Sequence, residues 1–369
     1  MSIQETLLVP KGEQTFIAPK IAPIVKTDWL KWAKQNLFST PGNTLLTFLG
    51  AAFLLWFIPA ALNWLILEAT FVGDTRDECV TAGACWLPIT NRIELFIYGM
   101  YPEAEQWRIN FAFGLALITI PLLYSQKMSK TSVLVYLAVL PFAMWVILKG
   151  GSFGFEEIST TKFAGIMLTL FLAIFGMVFA LPLGILLALG RRSKRPVIHW
   201  LCVGYIELVR SVPVITLLFM ASLMIQLFLP AGSEFDVLLR VVAVLILFTA
   251  AYMAETIRGG LQAIPKGQFE AAEALGFGYW KMMGTIILPQ VLRNCIPSLL
   301  NQFVGILKET TLVMIVGVLD VVGIASSTLS DSKWVGMENE IYAFLAIFFF
   351  VCCFSLSQYA ARLERQMKN

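Results

Sequence analysis

The chain has 369 residues, of which 58% are hydrophobic and only 14% charged, with a formal net charge of +3. A soluble protein carries roughly 45–50% apolar and about 25% charged residues, so this much apolar surface needs lipid as its solvent. That excludes a cytosolic enzyme, a secreted disulfide scaffold and a disordered tail. The small charge gives no argument for nucleic acid, and one histidine with six scattered cysteines leaves little for a metal site.

The first 44 residues read as a cytoplasmic arm, polar and lysine-bearing (Lys11, Lys20, Lys26, Lys31, Lys34), without the short apolar core of a cleavable signal. Within the arm, Trp29, Ala33 and Leu37 form an apolar stripe beside lysines, which predicts a short helix lying in the membrane interface rather than a floppy segment. Residues 45–150 then read as three spans with a large outward loop. The spans are Leu45–Leu67, Ile109–Gln126 and Thr131–Leu148, the last two being charge-free runs of 18 residues. Five more follow in a region set at 160–369: Phe163–Gly190, Ser211–Ser233, Val237–Ile257 (with Arg240 and Glu255), Pro297–Leu319 (with Lys308 and Glu309) and Ile341–Ala361. The expectation is an all-α polytopic membrane protein of about eight transmembrane helices.

Lysine and arginine concentrate in alternate loops: the arm, Lys127–Lys130, Arg191–Arg195, Arg258–Arg293 and the tail with Arg362, Arg365 and Lys368. By the positive-inside bias these face the cytoplasm, as do both termini. Cys79 and Cys85 fall in the large outward loop, where they are either a disulfide or a free pair. Cys202, Cys295, Cys352 and Cys353 read as small apolar packing residues.

The segment Ala263–Pro289 carries the most information. Pro265 and Gly267 punctuate the exit from a membrane helix, Phe269–Leu275 is built of helix formers, Gly276 is a natural left-handed stop, and Pro289 opens the next helix. The small Ala271 and Ala272 allow close approach of another surface; the alternative is a loop helix that only covers its own domain.

Glu270-Ala271-Ala272, three residues, Gly276, nine residues, then Ile286-Ile287-Leu288-Pro289 resembles the EAA loop of ABC importer permeases. Four further words resemble the polar amino acid permease branch of that family. They are Tyr205–Pro213, Ala251–Gly260, Leu288-Pro289-Gln290 and Leu307–Leu312, which with the EAA loop run in family order across Phe163–Ala361. The chain departs from the branch at Ser211-Val212, where glycine-threonine is common, and at Glu309 and Thr311, where aspartate and serine are common. Its N-terminal extension is similar to that of the longer permeases of general L-amino acid and glutamate/aspartate importers of Gram-negative bacteria.

The resemblance implies a type I importer permease with a five-helix core and a cytoplasmic coupling helix. Gly267, Glu270, Ala271, Ala272, Gly276 and Pro289 would form the ATPase-coupling set. The implied partners are a second permease subunit in a heterodimer, two ABC ATPases that carry ATP and Mg, and a periplasmic amino-acid-binding protein, all at a bacterial inner membrane. No Gly-x4-Gly-Lys-Ser/Thr phosphate loop and no catalytic constellation occurs, so ATP hydrolysis would belong to those partners and no cofactor to this chain.

Ionisable groups within spans are costly and persist mainly where they pair or line a polar path. Glu255, Lys308, Glu309 and Thr310 are therefore substrate-pathway candidates, with Glu255 and Glu309 facing Lys308 across a cavity able to hold both ends of an amino acid. The structural reading makes Glu207–Arg210 and Glu255–Arg258 intrahelical pairs near the interface, and Lys308 with Glu309 a braced gate. Two rivals to the importer remain. One is a proton- or ion-coupled secondary transporter using Glu255 or Glu309; the other is a membrane scaffold that only docks partners.

Overall fold

The computed structural model describes residues 29–79, 82–124, 130–228, 230 and 235–368; Lys11, Lys20, Lys26 and Lys127 of the basic segments lie outside them. Among these residues the chain is all-α, with only two isolated bridges, Thr70 with Cys85 and Gly165 with Asp320. Its contacts divide it into two units, Met1–Leu67 and Glu68–Asn369.

In the first unit, α1 spans Trp29–Asn36, where the tryptophan–lysine stripe predicts a helix. The next helix, α2 (Pro41–Leu62), starts on Thr40, whose Oγ1 accepts the Asn43 N–H at 3.2 Å, with Pro41 in the first turn. A π-helical turn, Asn63–Leu67, prolongs it. The 27 residues are apolar on every side and none of α2 is buried, the signature of a helix surrounded by lipid.

The second unit begins with an extended loop and the short helices α3 (Leu87–Thr90) and α4 (Ile93–Tyr98). The helices α5 (Gln106–Tyr124, 19 residues) and α6 (Lys130–Lys149, 20 residues) follow, coinciding with the second and third expected spans. Phe142 and Trp145 of α6 meet Phe179 and Phe171 of α7 (Gly165–Arg191). Beyond α7 come α8 (Pro196–Ser211), α9 (Val214–Phe219), α10 (Ile225–Phe228) and α11 (Val237–Ala263). The chain closes with α12 (Lys266–Ala274), α13 (Tyr279–Met282), α14 (Leu288–Glu309), α15 (Val321–Leu329) and α16 (Glu338–Lys368).

Among the described residues, five helices are long and apolar enough to cross a membrane, against the eight expected: Pro41–Leu67, Gly165–Arg191, Val237–Ala263, Tyr279–Val316 and Glu338–Arg365; of α5 and α6 only Ala138–Lys149 forms a shorter apolar helix. The expected span Ser211–Ser233 is corrected. Here α8 and the segment Val214–Met224 form a pair bent by 105°, together able to make a sixth crossing. Pro213 is the reason: it has no N–H to continue α8 and drives Val212 to extended backbone (φ −106, ψ 134).

Small residues centre the bundle on α7 and α11. A Cβ added to Gly184 would lie 2.7 Å from the Met253 Cβ, and Ala180, Ala188, Ala250, Ala251 and Ala254 are buried around it. Where water does not drive helices together, close backbone approach of this kind supplies the packing energy. Gly176 and Gly260 admit α14 in the same way, against Ile306 and Cys295.

The unit has two distinct ends. One, the basic end, carries Arg191–Arg195 and α12. The other, the loop end, gathers the 68–103 loop, the starts of α7 and α11, and α15. At the loop end Cys79 and Cys85 form a disulfide. Cys85, Leu87, Trp334 and Met337 are buried together, and Arg92 pairs with Asp331. Gly165 starts α7 at φ +69, its N–H donating to the Leu319 carbonyl at 2.9 Å.

Candidate coupling surface and substrate pathway

Proline and glycine bound α12. Pro265 closes α11 and precedes α12. Gly276 takes φ +75 as predicted, and the N–H groups of Leu275, Gly276 and Phe277 cap the carbonyls of Ala271, Glu273 and Ala272. Two contacts pin the helix to its own bundle: the Arg192 guanidinium lies over the Phe269 ring (5.5 Å), and Gln290 Nε2 donates to Gln268 Oε1 (3.3 Å). Pro289 sits in the first turn of α14.

The face that α12 offers differs from the sequence expectation at one residue. Ala272 does not look outward; it is 2% exposed, in a cluster with Met282, Met283 and Ile287. Its turn of helix faces the bundle because Phe269, Ala272 and the segment 282–287 share one apolar side. Gly267, Glu270 and Ala271 are on the open side, joined by Leu275, which is 74% exposed. The sequence reading missed Leu275 as part of this surface; a leucine at a helix end carries no signal of which way it points.

Glu255 is the centre of a charge network between α7, α8 and α11. Its carboxylate accepts from Arg191 (2.6 Å) and Arg258 (3.0 Å), with Arg210 at 3.7 Å. The expected Glu207–Arg210 pair does not form. Glu207 instead accepts from Arg191 (2.9 Å), and Arg210 turns to Glu255 and over the Tyr252 ring. His199 Nδ1 donates to the Arg191 carbonyl at 2.6 Å, fixing the end of α7. Arg191 was missed as a partner because, at the start of a basic loop, it is indistinguishable in sequence from charges that only set orientation.

Lys308 and Glu309 end α14, Lys308 exposed and Glu309 half-buried. Neither belongs to an ion pair among the described residues. Thr310 is buried, its Oγ1 donating to the Leu307 carbonyl at 2.8 Å. Beyond it the chain continues as a 3₁₀ turn to Val316. Glu255 is not brought together with Glu309 and Lys308, as the cavity expected from the sequence requires. Cys295 Sγ donates to the Thr256 carbonyl (3.5 Å), which sets Glu255 level with the first third of α14. Glu309 lies 14 residues further along, about 20 Å at 1.5 Å per residue. One amino acid cannot touch both.

Residues 180–369 match the family described as "Binding-protein-dependent transport system inner membrane component". The chain is 44% identical over 341 residues to the Inner membrane amino-acid ABC transporter permease protein YhdY of Escherichia coli (strain K12), covering 92% of this chain and 93% of that protein. It is 38% identical to the Glutamate/glutamine/aspartate/asparagine transport system permease protein BztC of Rhodobacter capsulatus, covering 96% and 97%. A crystal structure of an amino acid ABC transporter with histidines aligns at 30% identity and a TM-score of 0.49, over 55% of this chain and 92% of that one. With a family match over half its length and relatives that share nearly all of it, this multi-span helical chain belongs to the binding-protein-dependent transport system inner membrane components and is an ABC transporter permease.

Proposed function

We propose that this chain is one half of the translocation pathway of an ATP-driven importer of polar L-amino acids. The observation that carries the reading is the EAA-type helix α12, held to its own bundle by Phe269 and Ala272 while Glu270, Ala271 and Leu275 remain open to a partner. The substrate class is supported by the two long relatives, named as an amino-acid permease and a glutamate/glutamine/aspartate/asparagine permease. The basic end faces the cytoplasm, supported by its arginines and lysines, so both termini are cytoplasmic. The partners are a second permease subunit, two ATPases carrying ATP and Mg, and a periplasmic binding protein. The arm with α1 lies in the interface, residues 45–150 supply the added spans, and residues 160–369 form the permease core.

In this reading the ATPases grip the open side of α12, and their closure moves α12 together with the α11–α14 helices that flank it. Glu255 and its three guanidiniums sit about two helix turns before the end of α11 and brace that surface; they are not a ligand site. Lys308, Glu309 and Thr310 line the pathway, because ionisable groups without ion-pair partners deep in a span are retained where they face a polar route.

The test is uptake by proteoliposomes holding the complete transporter with its binding protein. Uptake of L-glutamate or L-glutamine should need ATP and fall in Glu309→Gln and Lys308→Met, both of which still insert. Uptake that an uncoupler abolishes, and that an ATPase-dead partner leaves unchanged, would replace this reading with secondary transport.

A further inference from the structure

At the loop end a cavity of about 630 Å³ opens between the 159–163 segment, the start of α11 and the 316–319 segment. Its size falls in the range of small-molecule sites, roughly 300–1,000 Å³. Phe163, Val316 and Leu319 give it apolar walls, and Thr160, Asp236 and Arg240 give it polar ones.

Arg240 is the anomaly in this wall. It is only 7% exposed, and among the described residues its one side-chain hydrogen bond is from Nη1 to the Ser222 carbonyl. Its Nε has no partner. A buried charge is ordinarily paired, because an unpaired one keeps the full cost of leaving water. Asp236 stands one turn earlier on the same helix, yet its carboxylate is already engaged. Oδ1 accepts from the N–H groups of Leu238 and Leu239, and Oδ2 from Thr160 Oγ1. A carboxylate has about four acceptor positions, so Asp236 keeps room for one more donor while Arg240 keeps a donor with no acceptor.

We propose that this cavity is a receiving site for a zwitterionic α-amino acid. The carboxylate of the ligand meets Arg240, its ammonium takes the remaining position on Asp236, and its side chain lies against Phe163, Val316 and Leu319. Free phosphate fits poorly, since it would set a multiply charged anion against the Asp236 carboxylate. Val316, in the cavity wall, is the last residue of the turn that starts at Thr310, so the site adjoins the segment that follows the pathway residues. The inference rests on the transport reading for its role, but the binding itself can be measured without transport.

The experiment uses the full-length chain in its purified transporter complex in nanodiscs, with Thr161, exposed at the cavity rim, replaced by cysteine. Maleimide labelling of Thr161→Cys is timed with L-glutamine, L-glutamate, acetate or ethylamine present, against the complex without the added cysteine. The expected result is slowed labelling by the amino acids and none by acetate or ethylamine at equal concentration. Protection should need roughly tenfold or more amino acid in Arg240→Gln, the loss of a hydrogen bond to a charged group, and be partly restored in Arg240→Lys. A labelling rate that no proteinogenic amino acid changes in the otherwise unaltered chain overturns the proposal, as does equal protection by acetate, which would mark a plain anion site. ATP-driven uptake measured on the same preparation separates the two readings. Uptake without protection removes the receiving site alone, whereas protection without uptake of any amino acid removes the transport reading and leaves the site.

Discussion

At the loop end, Trp334 and Met337 are buried against Leu87 and the Cys79–Cys85 disulfide, and the Asp320 side chain lies wholly inside protein. At the basic end, three arginines converge on one carboxylate, Glu255, that is still 17% exposed, and α12 is held by the small Ala272, a cation–ring contact and one side-chain amide hydrogen bond. Apolar contacts and a covalent link cannot be exchanged piecemeal, whereas ion pairs near water are each worth about 0–1 kcal/mol and trade partners at little cost. The coupling proposed above would use that asymmetry: an end that re-forms under a partner's pull, and an end that keeps its shape.

The two ends are told apart most strongly at α12, where two adjacent alanines have opposite surroundings. Ala272→Asp puts a carboxylate among Met282, Met283 and Ile287 with no partner, which costs several kcal/mol. It should lower the thermal stability of the purified chain before any ATPase is added. Ala271→Asp and Leu275→Asp lie on the open side, where surface changes stay within about 0.5 kcal/mol. Both should leave stability unchanged and abolish ATPase co-purification and uptake together. Normal uptake in both would remove α12 as the coupling surface, and an unaltered melting curve in Ala272→Asp would show that α12 is not packed against its own bundle.

The apolar runs and the EAA-type spacing were legible because their causes are local. Lipid demands about 20 apolar residues wherever a helix crosses, and Gly276 needs its positive φ whatever surrounds it. The face of Ala272, the turn of Arg210 away from Glu207, and the separation of Glu255 from Glu309 depend on which helices meet, and no residue states that. The bend at Pro213 was legible in principle, since an X-Pro step is a helix boundary. The charge-free run on its far side outweighed it. Arg240 was visible as a charge interrupting a span, but its missing partner is a property of the cavity.

At the loop end, Asp320 reports how tightly the packing excludes water. Burial pushes its carboxyl up to about 6, against a reference value of 3.8, even though Oδ1 accepts the Gly323 N–H at 2.9 Å as the cap of α15. Between these two values the folded state holds a proton that the unfolded chain has lost. Stability from this group is therefore greatest below 3.8 and declines as pH rises to about 6, then stays level. Asp320→Asn keeps the capping oxygen and removes the buried charge. Its thermal midpoint should exceed the parent's at neutral pH, by up to about 3 kcal/mol in stability, with the difference closing as pH falls to about 4. Parallel midpoints across that range would mean Asp320 is solvated and the loop end less sealed than its packing indicates.

The smallest expected effect lies in the Glu255 network. In Arg191→Gln, Glu255 still has Arg258 and Arg210 beside it, and only Glu207 loses its partner. The loss should be about 1 kcal/mol or less, as for other partly exposed pairs. Glu255→Gln leaves Arg191, Arg210 and Arg258 gathered around a neutral amide, with Glu207 alone to offset them. Like charges drawn together repel through a medium that salt screens, with a Debye length of about 10 Å at 0.1 M. The two variants should thus part in their response to ionic strength. Raising NaCl should restore stability to Glu255→Gln and do little for Arg191→Gln. An Arg191→Gln loss as large as that of Glu255→Gln, with no recovery in salt, would mean that one rigid Arg191–Glu255 contact holds the basic end. That end could not then exchange partners as α12 moves.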